Sequence, residues 1–178
     1  MKLSVIIPYM ESYPEKREML KKTVASFIGA DEIIVVSNWR EGYAKPINKG
    51  LAIARGDFMC VMNDDLVWDG GSLKRLCDED AVVSPMVNGK SQDYWGCAFC
   101  FPRWVYEKTG GLDERYEISY FDDDDFWMTL KKLEIPHYCS TIVSLTTEGG
   151  KTLDKMPDRN EFFQKNKKLF EEKWGVVR

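Results

Sequence analysis

The chain has 178 residues, 44% of them hydrophobic and 30% charged, with 29 acidic against 25 basic side chains and a net charge of -4. That length and composition suit one globular α/β domain over residues 1–178, large enough for a three-layer core. The acidic balance gives no support for a nucleic-acid partner, and no apolar run approaches the ~20 residues of a membrane span; the chain is expected to be cytoplasmic, without stable membrane insertion.

Lys2 to Pro8 reads as a first strand, rich in β-branched residues and ended by proline. A polar loop, Tyr9 to Tyr13, follows. Pro14 suits the first turn of a helix, and Glu15 and Glu18 lie near its positive end. Leu20, Val24, Phe27 and Ile28 recur at helical spacing, and Gly29 ends the segment. Glu32 to Ser37 reads as a second buried strand, with Asn38, Trp39 and Arg40 at its C-terminal end. Ile47 to Ala54 reads as a short helix, and Phe58 to Met62 as a third strand buried on both faces.

Directly after that strand come Asn63, Asp64 and Asp65. The β-α-β-α-β order makes a mononucleotide-binding half, which binds ligands at the C-terminal ends of its strands. Carboxylates there suit a hard divalent cation, Mg²⁺ or Mn²⁺, which commonly takes one or two carboxylates plus substrate phosphates. A solvated acidic turn is the plainer alternative. There is no Gly-x-Gly-x-x-Gly and no phosphate-loop signature, so neither dinucleotide nor Walker-type binding is supported.

Further on, Ser72 is a plausible N-cap for a helix that turns Leu73 and Leu76 inward. Ala81 to Pro85 reads as a strand, Tyr94 to Phe101 as an aromatic strand, and Arg103 to Lys108 as a short helix. Gly110 and Gly111 mark backbone that approaches a ligand or another segment closely. Asp122 to Asp125 open a helix with Phe126, Trp127, Leu130 and Leu133 on its apolar face; Pro136 closes it. A strand from His137 to Leu145, a Gly149–Gly150 turn and a basic helix from Asn160 to Trp174 complete the chain. Cys97 and Cys100 have zinc-like spacing, but no second pair follows, and on a strand they would face opposite ways. The five cysteines are expected to be reduced, and His137 to be structural. Tyr94, Trp95 and Trp39 offer rings that can stack on a sugar or a base, with core packing as the plainer reading.

Taken together, Ser4–Pro8, Glu32–Val36, Asn48–Leu51, Ala54–Asp57, Asn63–Asp65, Gly110–Glu114 and Asp122–Asp125 resemble a family-2 inverting glycosyltransferase of the GT-A fold. The resemblance implies a three-layer α/β/α domain with a mostly parallel central sheet. It implies a metal-assisted enzyme that moves a sugar from a nucleotide-diphosphate donor to a saccharide or other hydroxyl acceptor. The family's Asp-x-Asp motif falls on Asn63–Asp65, which implies Asp65 as the metal ligand bridging to the donor diphosphate and Asp64 beside it as a second metal-site carboxylate. The family's acidic base motif falls on Asp122 and Asp123, making Asp123 the general base. Pro8, Tyr9, Ser37 and Asn38 would hold the nucleobase, and Asn48, Lys49, Asn63 and Asp64 would complete the donor site. The chain departs from the family at Ser37, where Asp is usual, and at Thr129, where Arg is common. It departs again at Leu145 or Thr146, where a second metal ligand, His, is common.

The tetrad has a reading of its own. One or two acidic residues stabilise a helix start, but four in a row repel, which raises the proton affinity of some of them. Two rival functions remain at this level. A sugar-1-phosphate nucleotidyltransferase would show a Gly-rich, basic loop after the first strand, where this chain has Tyr9 to Tyr13. A catalytically silent nucleotide-sugar-binding or partner-binding module would bind nucleotide but release no product.

Overall fold

The computed structural model describes residues 1–10, 14–38, 41–118, 120–147 and 158–176. Trp39 and Arg40, the loop at 11–13 and the Gly149–Gly150 turn lie outside the described residues. Seven strands form one sheet: β1 (Leu3–Tyr9), β2 (Glu32–Ser37), β3 (Phe58–Met62), β4 (Leu66–Trp68), β5 (Val82–Val87), β6 (Ala98–Pro102) and β7 (His137–Thr147). Their order across the sheet is β2-β1-β3-β6-β5-β7-β4. β6 and β4 run against their neighbours, and the other five strands share one direction. The helices are α1 (Lys16–Ser26), α2 (Ala44–Ile53), α3 (Arg103–Thr109), α4 (Asp122–Lys132) and α5 (Arg159–Trp174).

β1, β3 and β6 are buried along almost their whole length because both faces of the sheet are covered there. On β1 and β3 the period-2 alternation divides the side chains between two cores. Leu3, Val5, Ile7, Phe58, Cys60 and Met62 face one core, together with Leu20 and Val24 of α1. Ile6, Met59 and Val61 face the other, with Ile47 and Leu51 of α2 and Phe126 and Leu130 of α4. This is the expected three-layer α/β arrangement.

Four expectations need correction. β2 lies at the sheet edge, and Ile33 and Val35 are exposed, so it is not buried on both faces. The segment after Ser72 is only a 3₁₀ turn, Leu73–Leu76, though Ser72 caps it and both leucines are buried. The aromatic strand starts at Ala98, because a turn closed by the Ala98 amide on the Trp95 carbonyl (3.2 Å) interrupts it. Finally, Leu66–Trp68 is a strand, β4, paired with the end of β7. It sits at the opposite end of the strand order from β2, yet its carbonyls reach α1: Thr23 Oγ1 donates to Leu66 O (2.7 Å) and Asp64 O (3.1 Å). The sheet therefore curls around α1, and that curl fixes the backbone on which Asp64 and Asp65 sit.

Candidate functional site

The C-terminal ends of β1, β2 and β3 form one edge, as parallel pairing requires. Tyr9 pairs with Ser37, and the Asn38 amide donates to the Tyr9 carbonyl (2.7 Å). Pro8 is buried and Ser37 exposed. The Asn38 side chain closes the following turn, donating to Gly42 O (2.8 Å) and accepting from the Glu41 amide (3.0 Å). Asn63 follows β3, where its amide donates to Cys97 O (2.9 Å) and its Oδ1 accepts from the Tyr43 hydroxyl (2.7 Å).

The two aspartates next to it have different fates. Asp64 is buried against Lys16, Nζ to Oδ1 2.5 Å, and Lys16 itself is 2% exposed. Burial pushes the Asp64 carboxyl up, and the Lys16 charge and hydrogen bond pull it back in part. Asp65 has a buried Oδ1 with no hydrogen-bond partner among the described residues. Its backbone carbonyl accepts from Thr147 Oγ1 (3.1 Å), so Thr147 at the end of β7 is the neighbour, while Leu145 is buried in the core.

The four aspartates of α4 are equally unlike one another. Asp122 is 3% exposed, and one of its oxygens is buried without a hydrogen-bond partner among the described residues. Burial, then the charge of Asp123, pushes its carboxyl well above the usual range. Asp123 Oδ1 accepts the Asp124 amide (2.9 Å), and Asp123 and Asp124 both line a pocket of 540 Å³. Asp125 is an anchor. It accepts from Trp174 Nε1 (2.7 Å), Lys173 Nζ (2.8 Å) and Tyr116 Oη (2.9 Å), which ties α4 to α5.

Tyr43 brings the two acidic groups together, and nothing in its sequence context announced it. Its hydroxyl lies within bonding distance of both Asn63 Oδ1 (2.7 Å) and Gly96 O (2.9 Å). A Cβ on Gly96 would run into the Asp123 side chain, so only glycine allows this close approach. Burial first, then the charges of Asp122, Cys97, Asp123 and Asp65, push the Tyr43 hydroxyl well above a tyrosine's ordinary value. Asp65 and Asp123 also both act on Cys97, which burial drives up to about 12. All five cysteines are free.

Several expected residues are engaged elsewhere. Asn48 holds the Gly110–Glu114 loop: its Nδ2 donates to Leu112 O (2.8 Å) and Glu114 Oε1 (3.0 Å), and its Oδ1 accepts the Leu112 amide (2.9 Å). Gly111, at φ +93°, leaves room for that amide group. Lys49 pairs with Glu41 (2.5 Å). Neither touches the acidic residues of the site through these bonds. Tyr94 packs its ring on Phe99 and Phe126, and Trp95 packs against the α1-side core. His137 accepts from Trp127 Nε1 (3.1 Å), a structural pairing. No group of three or more metal-competent side chains gathers among the described residues. A cation at Asp65 would therefore need oxygens from its substrate, and the orphaned Asp65 Oδ1 fits a hard cation held that way.

A family model described as Glycosyl transferase family 2 matches residues 17–136. Comparison with curated protein sequences gives no match. Among solved structures, the catalytic domain of Drosophila β1,4-galactosyltransferase 7 in complex with xylobiose superposes with a TM-score of 0.62 at 16% identity, over 84% of this chain and 66% of that one. A mannosyltransferase from Pyrobaculum calidifontis, in complex with GDP-Man and Mn²⁺, gives 0.63 at 16% identity, over 84% of this chain and 57% of that one. GalNAc-T7 with UDP, GalNAc and Mn²⁺ gives 0.67 at 12% identity, over 98% of this chain and 48% of that one. The chain thus spans from about half to two thirds of these proteins, and the likeness is one of fold.

Proposed function

The chain belongs to glycosyl transferase family 2 and is a glycosyltransferase, and from that premise we propose that it moves a sugar from a nucleotide-diphosphate donor to an acceptor hydroxyl with inversion. The observation that carries this reading is geometric: the Tyr43 hydroxyl lies within bonding distance of Asn63, which leads into Asp65, and of Gly96, whose backbone abuts the Asp123 side chain, at the strand edge where such folds bind nucleotides.

On this reading Pro8, Tyr9, Ser37 and Asn38 face the nucleobase. The Asn63 side chain is oriented through Tyr43, and Asp65 faces the donor diphosphate. Asp64 acts through Lys16 to fix the backbone of Asp65, and is not itself a ligand. Mn²⁺ or Mg²⁺, held by Asp65 and the donor's own phosphates, would offset the charge that the leaving diphosphate gains. Support for a cation comes also from the fold relatives that hold Mn²⁺ with a nucleotide or nucleotide sugar.

Asp123 takes the proton of the acceptor hydroxyl. The freed oxygen bonds to the anomeric carbon while the bond from that carbon to the diphosphate oxygen breaks, and its electron pair leaves on the nucleoside diphosphate. Asp122 precedes the base in the helix; its burial raises its carboxyl, which lessens the second charge beside the first.

The test is a panel of UDP-, GDP-, CDP- and dTDP-sugars with Mn²⁺, scored for product. Release of a nucleoside diphosphate from one of them supports the transferase. Formation of nucleoside triphosphate and sugar 1-phosphate when pyrophosphate is added, or binding without turnover of any donor, would replace it.

A further inference from the structure

The 540 Å³ pocket at the start of α4 falls within the ~300–1,000 Å³ range of small-molecule sites. It is walled by Tyr120, Phe121, Asp123, Asp124, Phe163 and Lys167. We propose that this pocket is the acceptor subsite and that it takes the terminal ring of an uncharged saccharide, with Phe163 as the residue that sets its affinity. The inference rests on the transferase reading above, and names the substrate class of the same site.

Three features argue for it. The first is the wall: Phe163 is 36% exposed, edge-packed on Tyr120 and tilted on Phe121 with centroids 5.3 Å apart in each case. A half-exposed aromatic cluster beside carboxylates offers apolar area to the C–H face of a sugar and acceptors to its hydroxyls. Arg159 lies over the Tyr120 ring, 5.6 Å away, which makes Phe163 the freer platform. The Tyr120 hydroxyl is buried without a hydrogen-bond partner among the described residues, a group that a ligand hydroxyl would satisfy.

The second is charge. Among the described lining residues two are acidic, Asp123 and Asp124, and one is basic, Lys167, which lies 3.8 Å from Glu171. An acceptor bearing phosphate or carboxylate would meet two carboxylates in this wall, which disfavours it relative to a neutral ring.

The third is strain. Ile118, Tyr120 and Phe121 all have positive φ, at +63°, +78° and +68°. For non-glycine residues, and a β-branched one among them, this is unfavourable backbone that persists only where surrounding contacts enforce it. The fully buried Asn166 of α5 enforces it here: its Nδ2 donates to Glu117 O (2.8 Å) and Tyr120 O (3.2 Å), and its Oδ1 accepts the Glu117 amide (3.2 Å). The backbone is thus held in an unfavourable shape that brings Tyr120 and Phe121, with Asp123 and Asp124 of the tetrad, to one pocket wall.

The experiment is saturation-transfer NMR on the full chain with cellobiose, lactose, xylobiose and N,N′-diacetylchitobiose, beside glucuronate and glucose 1-phosphate as charged probes. At least one neutral disaccharide should bind more tightly than either charged probe. Its affinity should fall about tenfold in Phe163→Ala, while the melting temperature and the nucleotide-induced thermal shift stay in place. Binding of the charged probes in preference, no binding of any neutral probe, or binding indifferent to Phe163→Ala would each overturn the proposal. The two readings fail separately. Donor turnover with saccharide binding unchanged in Phe163→Ala removes the subsite and keeps the transferase. Saccharide binding at Phe163 with no donor consumed removes the transferase and keeps the pocket.

Discussion

The acid group after β3 and the acid group opening α4 look alike as strings of aspartate, and the fold treats them by the same rule on very different supports. In each, one carboxylate is spent on a lysine from another element: Asp64 on Lys16, Asp125 on Lys173. In each, another carboxylate keeps a buried oxygen without a hydrogen-bond partner among the described residues: Asp65 and Asp122. The supports differ. Asp65 rides on the end of a central strand whose five residues are all buried, so its position comes with the sheet. The α4 group hangs from left-handed backbone at Tyr120 and Phe121 and is held from outside, by Asn166, Trp174 and Lys173 of α5. The strand end is positioned by the core, and the helix start by a clamp. Neighbouring aspartates therefore hold different roles, set by the partners that reach them.

The contrast breaks first at the chemistry. Asp123→Asn should lower sugar transfer by about 10³-fold or more while the nucleotide-dependent thermal shift survives, because the base is lost and the donor site kept. Asp65→Ala should do the reverse, losing the Mn²⁺-dependent part of that shift, which at saturating nucleotide would reach about 2.7 kcal/mol. Equal loss of nucleotide binding in both variants would show that the two groups are not separate in function.

A stability comparison tests the two lysines. Lys16→Met leaves Asp64 buried and unpaired, and should cost about 3–5 kcal/mol in urea unfolding. Lys173→Met should cost less, about 1–2 kcal/mol, because Asp125 keeps the Tyr116 and Trp174 donors and Lys173 is 26% exposed. If the costs came out equal, the division between core-held and clamp-held groups would fail.

Much of this was legible in the residues, and the part that was not has a common cause. Strong apolar runs such as Leu3–Ile7 and Phe58–Met62 announced buried strands, because burial on both faces leaves a signal in every residue. Asp125 and Asp123 were indistinguishable in sequence, since the partners that separate them, Tyr116 and Trp174 for one and Gly96 for the other, come from distant segments. Tyr43 was invisible for the same reason. Asn48 carried a donor-site expectation from the family pattern, yet its amide is used on the Gly110–Glu114 loop, a contact that only the packing of α2 reveals. The glycine pair there did announce a close approach; what it could not say was that the approaching group is a side chain of the chain itself. The edge position of β2 was hidden because Ile33 and Val35 read as core residues.

The finest difference between the groups is one of protonation. Burial and the neighbouring Asp123 raise the Asp122 carboxyl well above its ordinary 3.8, so the folded chain holds a proton there that the unfolded chain gives up. A raised carboxyl makes its contribution fully below the unfolded value and loses it as pH climbs through the folded one. Stability should therefore decline with rising pH across that window, by at most about 1.4 kcal/mol per pH unit for this one group. Asp122→Asn keeps the shape and the donor of the protonated acid and cannot ionise. Its unfolding free energy should be flatter than that of the natural chain as pH rises above the ordinary carboxylate value. Denaturant titrations at a few pH values read the slope directly. A variant as steep as the natural chain would mean that Asp122 is charged in the fold, and that the base beside it works against a like charge.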